Sequence, residues 1–377
     1  MKRYIFIAAA FAITLASCSK IYDATPVNNE PAIGFGSWAE TLTKTEARVQ
    51  GTNTFLAGDT FAVYGYKDKS TPAPVTVFDD IVVTASGNPV DSWDYSNHRY
   101  WDTAYDSYTF FAISPSAIGT EADGTNSSTN VNPQTGAFVT RSITFSGDDN
   151  DILVADKKVV AKGETPFFSN YATVPIVFNH VASLVDFKVK KAPSLSTTAV
   201  KVSAFSLSNI DNEGQLTVTA AYTENHPVAS WTNPGTARTT YGPGDGVNDD
   251  VDISSPITIA EDTAFNTASP TDPANSTPLI KSLVVMPQAF RNSGGTNPQT
   301  LTISYQLGTD PTTYTRTLYL ADFDADNDNA EGPSDQIGSW EPGKHYTFYI
   351  TIEAHAISFS ATITPWTTVN GYHYLTN

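Results

Sequence analysis

Short runs of alternating apolar and polar residues, or of consecutive β-branched and aromatic residues, recur along this chain between clusters of turn-forming residues. In the first half Phe61-Ala62-Val63-Tyr64-Gly65-Tyr66, Val75-Thr76-Val77-Phe78, Tyr108-Thr109-Phe110-Phe111-Ala112-Ile113 and Ile152-Leu153-Val154 each predict a strand. The pattern restarts around Val174-Pro175-Ile176-Val177-Phe178-Asn179-His180. It continues through Leu184 to Val189, Ala204 to Leu207, Leu216-Thr217-Val218, Ser282 to Met286 and Leu301 to Tyr305. Alternation of this kind is expected where one sheet face is wet and the other packed. No stretch carries apolar residues at a spacing of three to four over the length of a helix. The fold class expected is therefore all-β, as two sandwiches in series, with a boundary near residue 175. Between Tyr222 and Pro278 Pro, Asn, Thr, Gly and Asp crowd out the apolar residues, and this stretch reads as a surface excursion outside the core.

The end of the chain differs from its middle. Tyr346-Thr347-Phe348-Tyr349-Ile350-Thr351-Ile352 is followed closely by Ala356-Ile357-Ser358-Phe359-Ser360-Ala361-Thr362-Ile363. A period of two puts Ile357, Phe359, Ala361 and Ile363 on one face of an amphipathic strand. A strand so near the terminus is tied down at one end, so it is a candidate for donation to a neighbouring molecule. The other reading is that it completes its own sandwich.

Composition supports the strand reading and adds a location. Aromatic residues make up 12% and charged residues 16%, a balance suited to strands and turns. The amino terminus carries Lys2 and Arg3, an apolar stretch from Tyr4 to Leu15, and then Leu15-Ala16-Ser17-Cys18. This is the pattern of a bacterial lipoprotein signal, with Cys18 acylated after cleavage; the alternative is an ordinary signal peptide with an incidental cysteine. The apolar stretch falls short of the roughly 20 residues that span a bilayer. Cys18 is the single cysteine, so no disulfide, thiolate nucleophile or cysteine-bound metal is expected. The expected organisation is a signal over 1–17, a lipidated tether holding a first strand over 18–48, sandwiches over 49–174 and 175–355, and a candidate donor strand within 356–377. A net charge of −18 argues against nucleic acid as a partner.

Candidate chemistry changes this picture little. The histidines at 98, 180, 226, 345, 355 and 373 are far apart and form no zinc-type pair. There is no G-x-S-x-G elbow and no phosphate-cradling glycine loop, so neither enzyme activity nor a cofactor is expected. Asp322, Asp324, Asp326 and Asp328 begin like a calcium loop, yet Asn327 stands where glycine is wanted and Pro333 where a bidentate glutamate belongs. A solvated acidic loop is the leading reading and an opportunistic Ca²⁺ site the other. Trp93, Tyr95, Tyr100, Trp101 and Tyr105 either pack a sandwich edge or form a sugar-stacking surface.

Taken in order, several short motifs resemble the fimbrillins of Bacteroides-like bacteria, the subunits and accessory proteins of a lipoprotein-derived pilus. They are the lipobox ending in Cys18, Thr43-Lys44, Phe61 to Tyr66, Tyr100-Trp101 with the strand from Tyr108 to Pro115, and Asp151-Ile152-Leu153-Val154-Ala155. Further on come Phe178-Asn179-His180 leading to Phe187-Lys188-Val189, Met286-Pro287-Gln288, Trp340-Glu341-Pro342-Gly343-Lys344-His345-Tyr346 and Ile363-Thr364-Pro365-Trp366. The resemblance implies two transthyretin-like β-sandwiches and an outer-membrane lipoprotein destined for the cell surface. It also implies cleavage after a basic residue, Arg48 or alternatively Lys44, that removes the first strand around Ile33 to Phe35, with the groove refilled by a carboxyl-terminal strand of the next subunit. Other fimbrillin subunits are then the partners, with a host or bacterial surface glycan or protein as an adhesion target. The competing reading is a tip adhesin or anchored glycan-binding lipoprotein that does not polymerise.

Overall fold

The computed structural model describes residues 30–37, 55–70, 73–87, 90–116, 131–140, 142–146, 151–169, 172–233, 236–242, 257–259, 277–291, 294–323, 337–353 and 357–365. Strands dominate these residues, as the alternating pattern requires. In the first half they are β1 (Phe35–Ser37), β2 (Thr60–Asp68), β3 (Val75–Ser86), β4 (Ser92–Asp94), β5 (Ser107–Ser114), β6 (Phe138–Val139), β7 (Ile143–Thr144), β8 (Leu153–Ala155), β9 (Lys158–Ala161), β10 (Val174–Ile176) and β11 (Phe178–His180). The second half supplies β12 (Ser183–Lys191), β13 (Val200–Asp211), β14 (Glu213–Val218), β15 (Ala229–Thr232), β16 (Arg238–Tyr241), β17 (Ile257–Ile259) and β18 (Thr277–Val285). It ends with β19 (Gln288–Ala289), β20 (Thr300–Leu307), β21 (Tyr314–Tyr319), β22 (Ser339–Trp340), β23 (Lys344–Ile352) and β24 (Ile357–Pro365). The all-β expectation is borne out.

In the first half a sheet runs in the order β11-β8-β5-β2-β3-β4, with β9 beside β5, and the short parallel pair β1-β10 covers it. Phe61, Val63, Phe78, Phe110, Leu153 and Phe178 meet Ile33 and Phe35 in the core between them. In the second half β18-β12-β23-β24 faces β16-β13-β20-β21 across a core that includes Phe187, Phe205, Leu283, Ile303, Trp340 and Phe348. Phe187 and Phe348 stack at 4.8 Å, at the register point where β12 and β23 run parallel.

A third core joins the halves. Tyr64, Phe111, Ile113, Phe138 and Val154 from the first half pack with Leu184, Leu216, Val218, Val284 and Met286 from the second. The segment holding β6 and β7 crosses over to pair with β14. The connection between β11 and β12 is pinned at each step. Val181 N–H donates to the Ile152 carbonyl at 3.1 Å, and Gly343 N–H to the Ala182 carbonyl at 2.8 Å. The Trp231 indole donates to the Val181 carbonyl at 2.6 Å, and Ser183 Oγ to the Glu341 carbonyl at 2.7 Å.

Two sequence motifs find structural roles here. Gln288 exchanges paired 3.0 Å hydrogen bonds with the backbone of Asp211. The Asp211 carboxylate in turn receives Arg291 Nη1 at 2.7 Å and Arg238 Nε at 3.1 Å. In the motif that begins with Trp340, Glu341 N–H donates to the Tyr346 hydroxyl at 2.9 Å. Burial pushes that phenol up to about 12.

The stretch from Tyr222 to Pro278 departs from expectation. It supplies β15, β16 and β17, which pair with β14 and β13, and it buries Tyr241 and Ile259. β15 and β16 are short and largely polar and β17 is only three residues long, so backbone pairing to longer neighbours holds them, too short a signal for periodicity to detect.

Candidate functional site

The feature with the most unusual construction is the seat of β1. A strand of three residues contributes little pairing of its own, yet the chain from Pro31 to Ser37 is held on two sides. On one side Trp101 N–H donates to the Pro31 carbonyl at 3.1 Å and Ile33 N–H to the Arg99 carbonyl at 2.7 Å. Ala32 bridges Tyr100 there in antiparallel fashion. On the other, Phe35, Gly36 and Ser37 align in parallel with Val174, Pro175 and Ile176, and Val174 N–H donates to the Gly34 carbonyl at 2.8 Å. The strand thus fills a gap between two backbone edges that would be unpaired without it.

Its side chains fill the gap's floor. Ile33 is wholly buried and Phe35 is 2% exposed. The Phe35 ring lies 5.3 Å from Phe78, 5.7 Å from both Tyr95 and Phe110, and 6.3 Å from Phe61. The pairs with Phe61, Phe78 and Phe110 are edge-to-face, and such pairs add about 0.5–1.5 kcal/mol each beyond area burial. Tyr95 locks the rim: its hydroxyl donates to the Ile33 carbonyl at 2.7 Å and accepts Arg99 N–H at 3.0 Å. Burial pushes the Tyr95 phenol up to about 12 against the lowering influence of Arg99. Arg99 is itself buried and ties the rim to β3 through Nε and the Val77 carbonyl at 3.2 Å, and to its own turn through Nη1 and the Asn97 carbonyl.

Of the residues proposed to open this seat, Cys18, Lys44 and Arg48 lie outside the described residues. The chain is described again from Phe55, which packs on Trp93 at 5.1 Å and Phe178 at 5.7 Å. The candidate donor strand is β24, the edge of its sheet, paired with β23 over nine residues from Ile352↔Ile357 to Lys344↔Pro365. The register aligns positions 357, 359, 361 and 363 with Ile352, Ile350, Phe348 and Tyr346, all core residues. Ile357 is half-buried against that core, and Ile363 is 42% exposed.

The remaining candidates are placed as follows. Asp322 is exposed beside the buried Phe323, and Asp324, Asp326 and Asp328 lie outside the described residues. Among the described residues no group of three or more histidine, cysteine or acidic side chains is positioned to hold a metal. Each described histidine faces one aspartate: His98 with Asp94, His180 with Asp151, His226 with Asp156 and His345 with Asp186. Of the aromatic group, Tyr95 and Trp101 are buried, and Trp93 packs on Phe61 and Phe55. Trp93, Tyr100 and Tyr105 keep part of their surface in water, and two lysines, Lys67 and Lys69, cover the Tyr105 ring.

Sequence reading missed Tyr95 and Arg99 as the rim of the seat. Their signal is weak, since a lone Tyr and Arg four residues apart have no periodic partner. They meet the first strand only through the fold.

Asp102, next to the rim, gives a pH-dependent test of the seat's edge. Burial raises its carboxyl, but hydrogen bonds from Lys67 at 2.7 Å and from Ala104 N–H at 2.9 Å outweigh this, and its pKa lies below the ordinary value. A depressed carboxylate stabilises the fold above its unfolded pKa, about 4, and loses that contribution as pH falls through the folded value. Asp102→Asn is therefore expected to melt below the native chain at neutral pH, with the gap closing as pH falls below the ordinary carboxylate range. Circular-dichroism melts across that range check it; a gap independent of pH would contradict the assignment.

Comparison with known proteins gives a consistent pattern. A family model described as fimbrillin-like matches residues 45–366. Fimbrium subunit Fim1C of Phocaeicola vulgatus is 26% identical over 200 residues, covering 49% of this chain and 51% of that protein. The chain thus spans about half the length of this curated relative. The crystal structure of a fimbrial protein from Bacteroides vulgatus aligns over 89% of this chain and 99% of that one, with a TM-score of 0.50 at 17% identity, a likeness of fold.

Proposed function

Because the chain belongs to the fimbrillin-like family, we propose that it is a structural subunit of a surface pilus and joins its neighbours by exchanging strands. The observation that carries this reading is the seat of β1, where a short strand with two buried anchors closes a core from outside the main sheet. In this reading Cys18 is acylated and holds the precursor to the outer membrane. Cleavage after Arg48, or after Lys44, then frees the main body of the protein from residues 18–48, which leave with β1.

The open seat is unstable in water. It exposes the rings around Phe35 and two unpaired backbone edges, a template for β-addition. Refilling it buries one branched aliphatic and one aromatic side chain, at about 1.5–3 kcal/mol each before association costs. The domain organisation proposed is a pro-segment over 18–48, sandwiches over 49–174 and 175–355, and a donor within 356–377. Such a head-to-tail contact does not close on itself and yields a filament. Other fimbrillin subunits are the partners, and a surface glycan or protein is the adhesion target.

One observation favours a second reading. The nine-residue ladder between β23 and β24 suits a strand that stays at home, as in a tip adhesin or anchored glycan-binding lipoprotein. Intact-mass spectrometry of the protein from outer membranes and sheared filaments of its native host decides between them. A lipid-free species beginning at Val49, in ladders that resist mild detergent, is expected. A full-length monomer with acylated Cys18 would move the assignment to the anchored binder.

A further inference from the structure

We propose that the strand replacing β1 comes from a second copy of this same chain and enters in one register, Ile357 taking the seat of Ile33 and Phe359 that of Phe35. This rests on the strand-exchange reading above and adds to it the identity of the partner and the alignment of the joint.

The argument starts from a repeat at the two ends of the chain. Ala32-Ile33-Gly34-Phe35-Gly36-Ser37 and Ala356-Ile357-Ser358-Phe359-Ser360-Ala361 share Ala, Ile and Phe at the same spacing, with small residues at every other position. Each shared feature answers a demand of the seat. Ile33 is wholly buried, so its replacement must be apolar and of like volume. Phe35 sits among four aromatic rings, where a smaller residue leaves a cavity and a larger one clashes.

Position 34 is restricted as well. A Cβ placed on Gly34 would meet the Thr173 methyl at 3.3 Å, a contact that a slight rotation of Thr173 relieves for Ser358 but not for a large side chain. The seat's hydrogen bonds go to the backbone at positions 31, 33 and 34. Any non-proline strand makes them, so the side chains alone choose the register. Because the repeat keeps its chain direction, the incoming strand runs parallel to β10, as β1 does. The likeness ends at His355, which stands where the amino-terminal segment has the buried Pro31, so pairing is expected to begin at Ala356.

Ile143-Thr144-Phe145 and Ile176-Val177-Phe178 carry the same Ile-x-Phe spacing. Phe145 and Phe178 are already buried in cores, within segments fixed at both ends. The carboxyl-terminal copy lies on β24, a nine-residue strand paired on one side only. Since seat and matching strand occur in one sequence, the polymer needs no other subunit.

Cysteine trapping in the full chain, expressed and assembled in the native host, tests the register. Gly36 is aligned with Pro175, so Ser360 in its place would stand opposite Pro175, within disulfide reach. Pro175→Cys with Ser360→Cys is expected to give a ladder on non-reducing gels that collapses on reduction. Pro175→Cys with Ser358→Cys, displaced by two residues to about 8 Å, is expected to give none. Ser358→Trp, which needs no cysteine, is expected to abolish ladders while the monomer's melting is followed alongside.

Three outcomes would overturn the register or the partner while leaving strand exchange intact: a ladder favouring Ser358→Cys, a second protein in the ladder by mass, or polymerisation unaffected by Ser358→Trp. A disulfide confined to the monomer would overturn the second-copy assignment. Monomers throughout, with acylated Cys18 retained, would overturn the underlying reading itself.

Discussion

Phe35→Ala is expected to lower the unfolding free energy of the unprocessed chain by about 3–5 kcal/mol. The ring is 2% exposed and meets Phe61, Phe78, Tyr95 and Phe110. Truncation removes the transfer energy of a phenyl group and leaves a cavity lined by rigid rings. Those rings are set by β2, β3 and β5 and cannot collapse into the space. The strand itself has no other large anchor besides Ile33, so local detachment of 31–37 is expected to precede global unfolding. Urea titration gives the loss, and hydrogen exchange at Ile33 N–H and Val174 N–H reports the local opening. A species beginning at Val49 would show no effect of this substitution, because it no longer contains residue 35. A loss below about 1 kcal/mol in the unprocessed chain would show that β1 is not energetically seated.

Gly65→Ala is expected to cost about 2–3 kcal/mol, through overpacking. Gly65 lies in β2, between Phe78 of β3 and Phe110 of β5, and register shifts adjoin it on the β3 side. A Cβ there would stand 2.5 Å from the Thr109 carbonyl oxygen. That oxygen is backbone in the middle of a sheet, so relief requires β2 and β5 to part rather than a side chain to rotate. The residue is glycine because the backbones approach closely. Gly58, on the same chain segment, gives the contrast: nothing lies within 4 Å of its would-be Cβ, but its φ is +92. Gly58→Ala is thus strained only in its own backbone, at about 1 kcal/mol. Thermal melts of the two variants side by side separate crowding from backbone strain. Equal losses would contradict the crowding argument.

How much was legible differs from element to element. The runs at Phe61 to Tyr66 and Tyr108 to Ile113 announced β2 and β5, because β-branched and aromatic residues in short blocks have few other stable conformations. Ile357 to Ile363 announced β24 through its alternation. The segment from Phe138 to Phe145 announced little, since its two short strands pair with β14, 69 to 80 positions later in sequence. The same holds for β15 to β17. Each is only three or four residues long within a stretch of loop composition, and pairing partners supply what so short a run does not.

By itself the sequence determined the class of element and its approximate limits, and the family resemblance pointed to a first strand around Ile33 to Phe35. These depend on residue type and on spacing within a few positions, and period-two alternation is a local property. Only the tertiary structure decided that Tyr95 and Arg99 rim the seat, that four rings enclose Phe35, and that Thr173 limits the side chain at position 34. These facts depend on which distant segments meet, and burial of apolar surface rewards any such meeting without direction. Backbone pairing and ring geometry then select one arrangement from many, and neither is visible until the strands lie side by side.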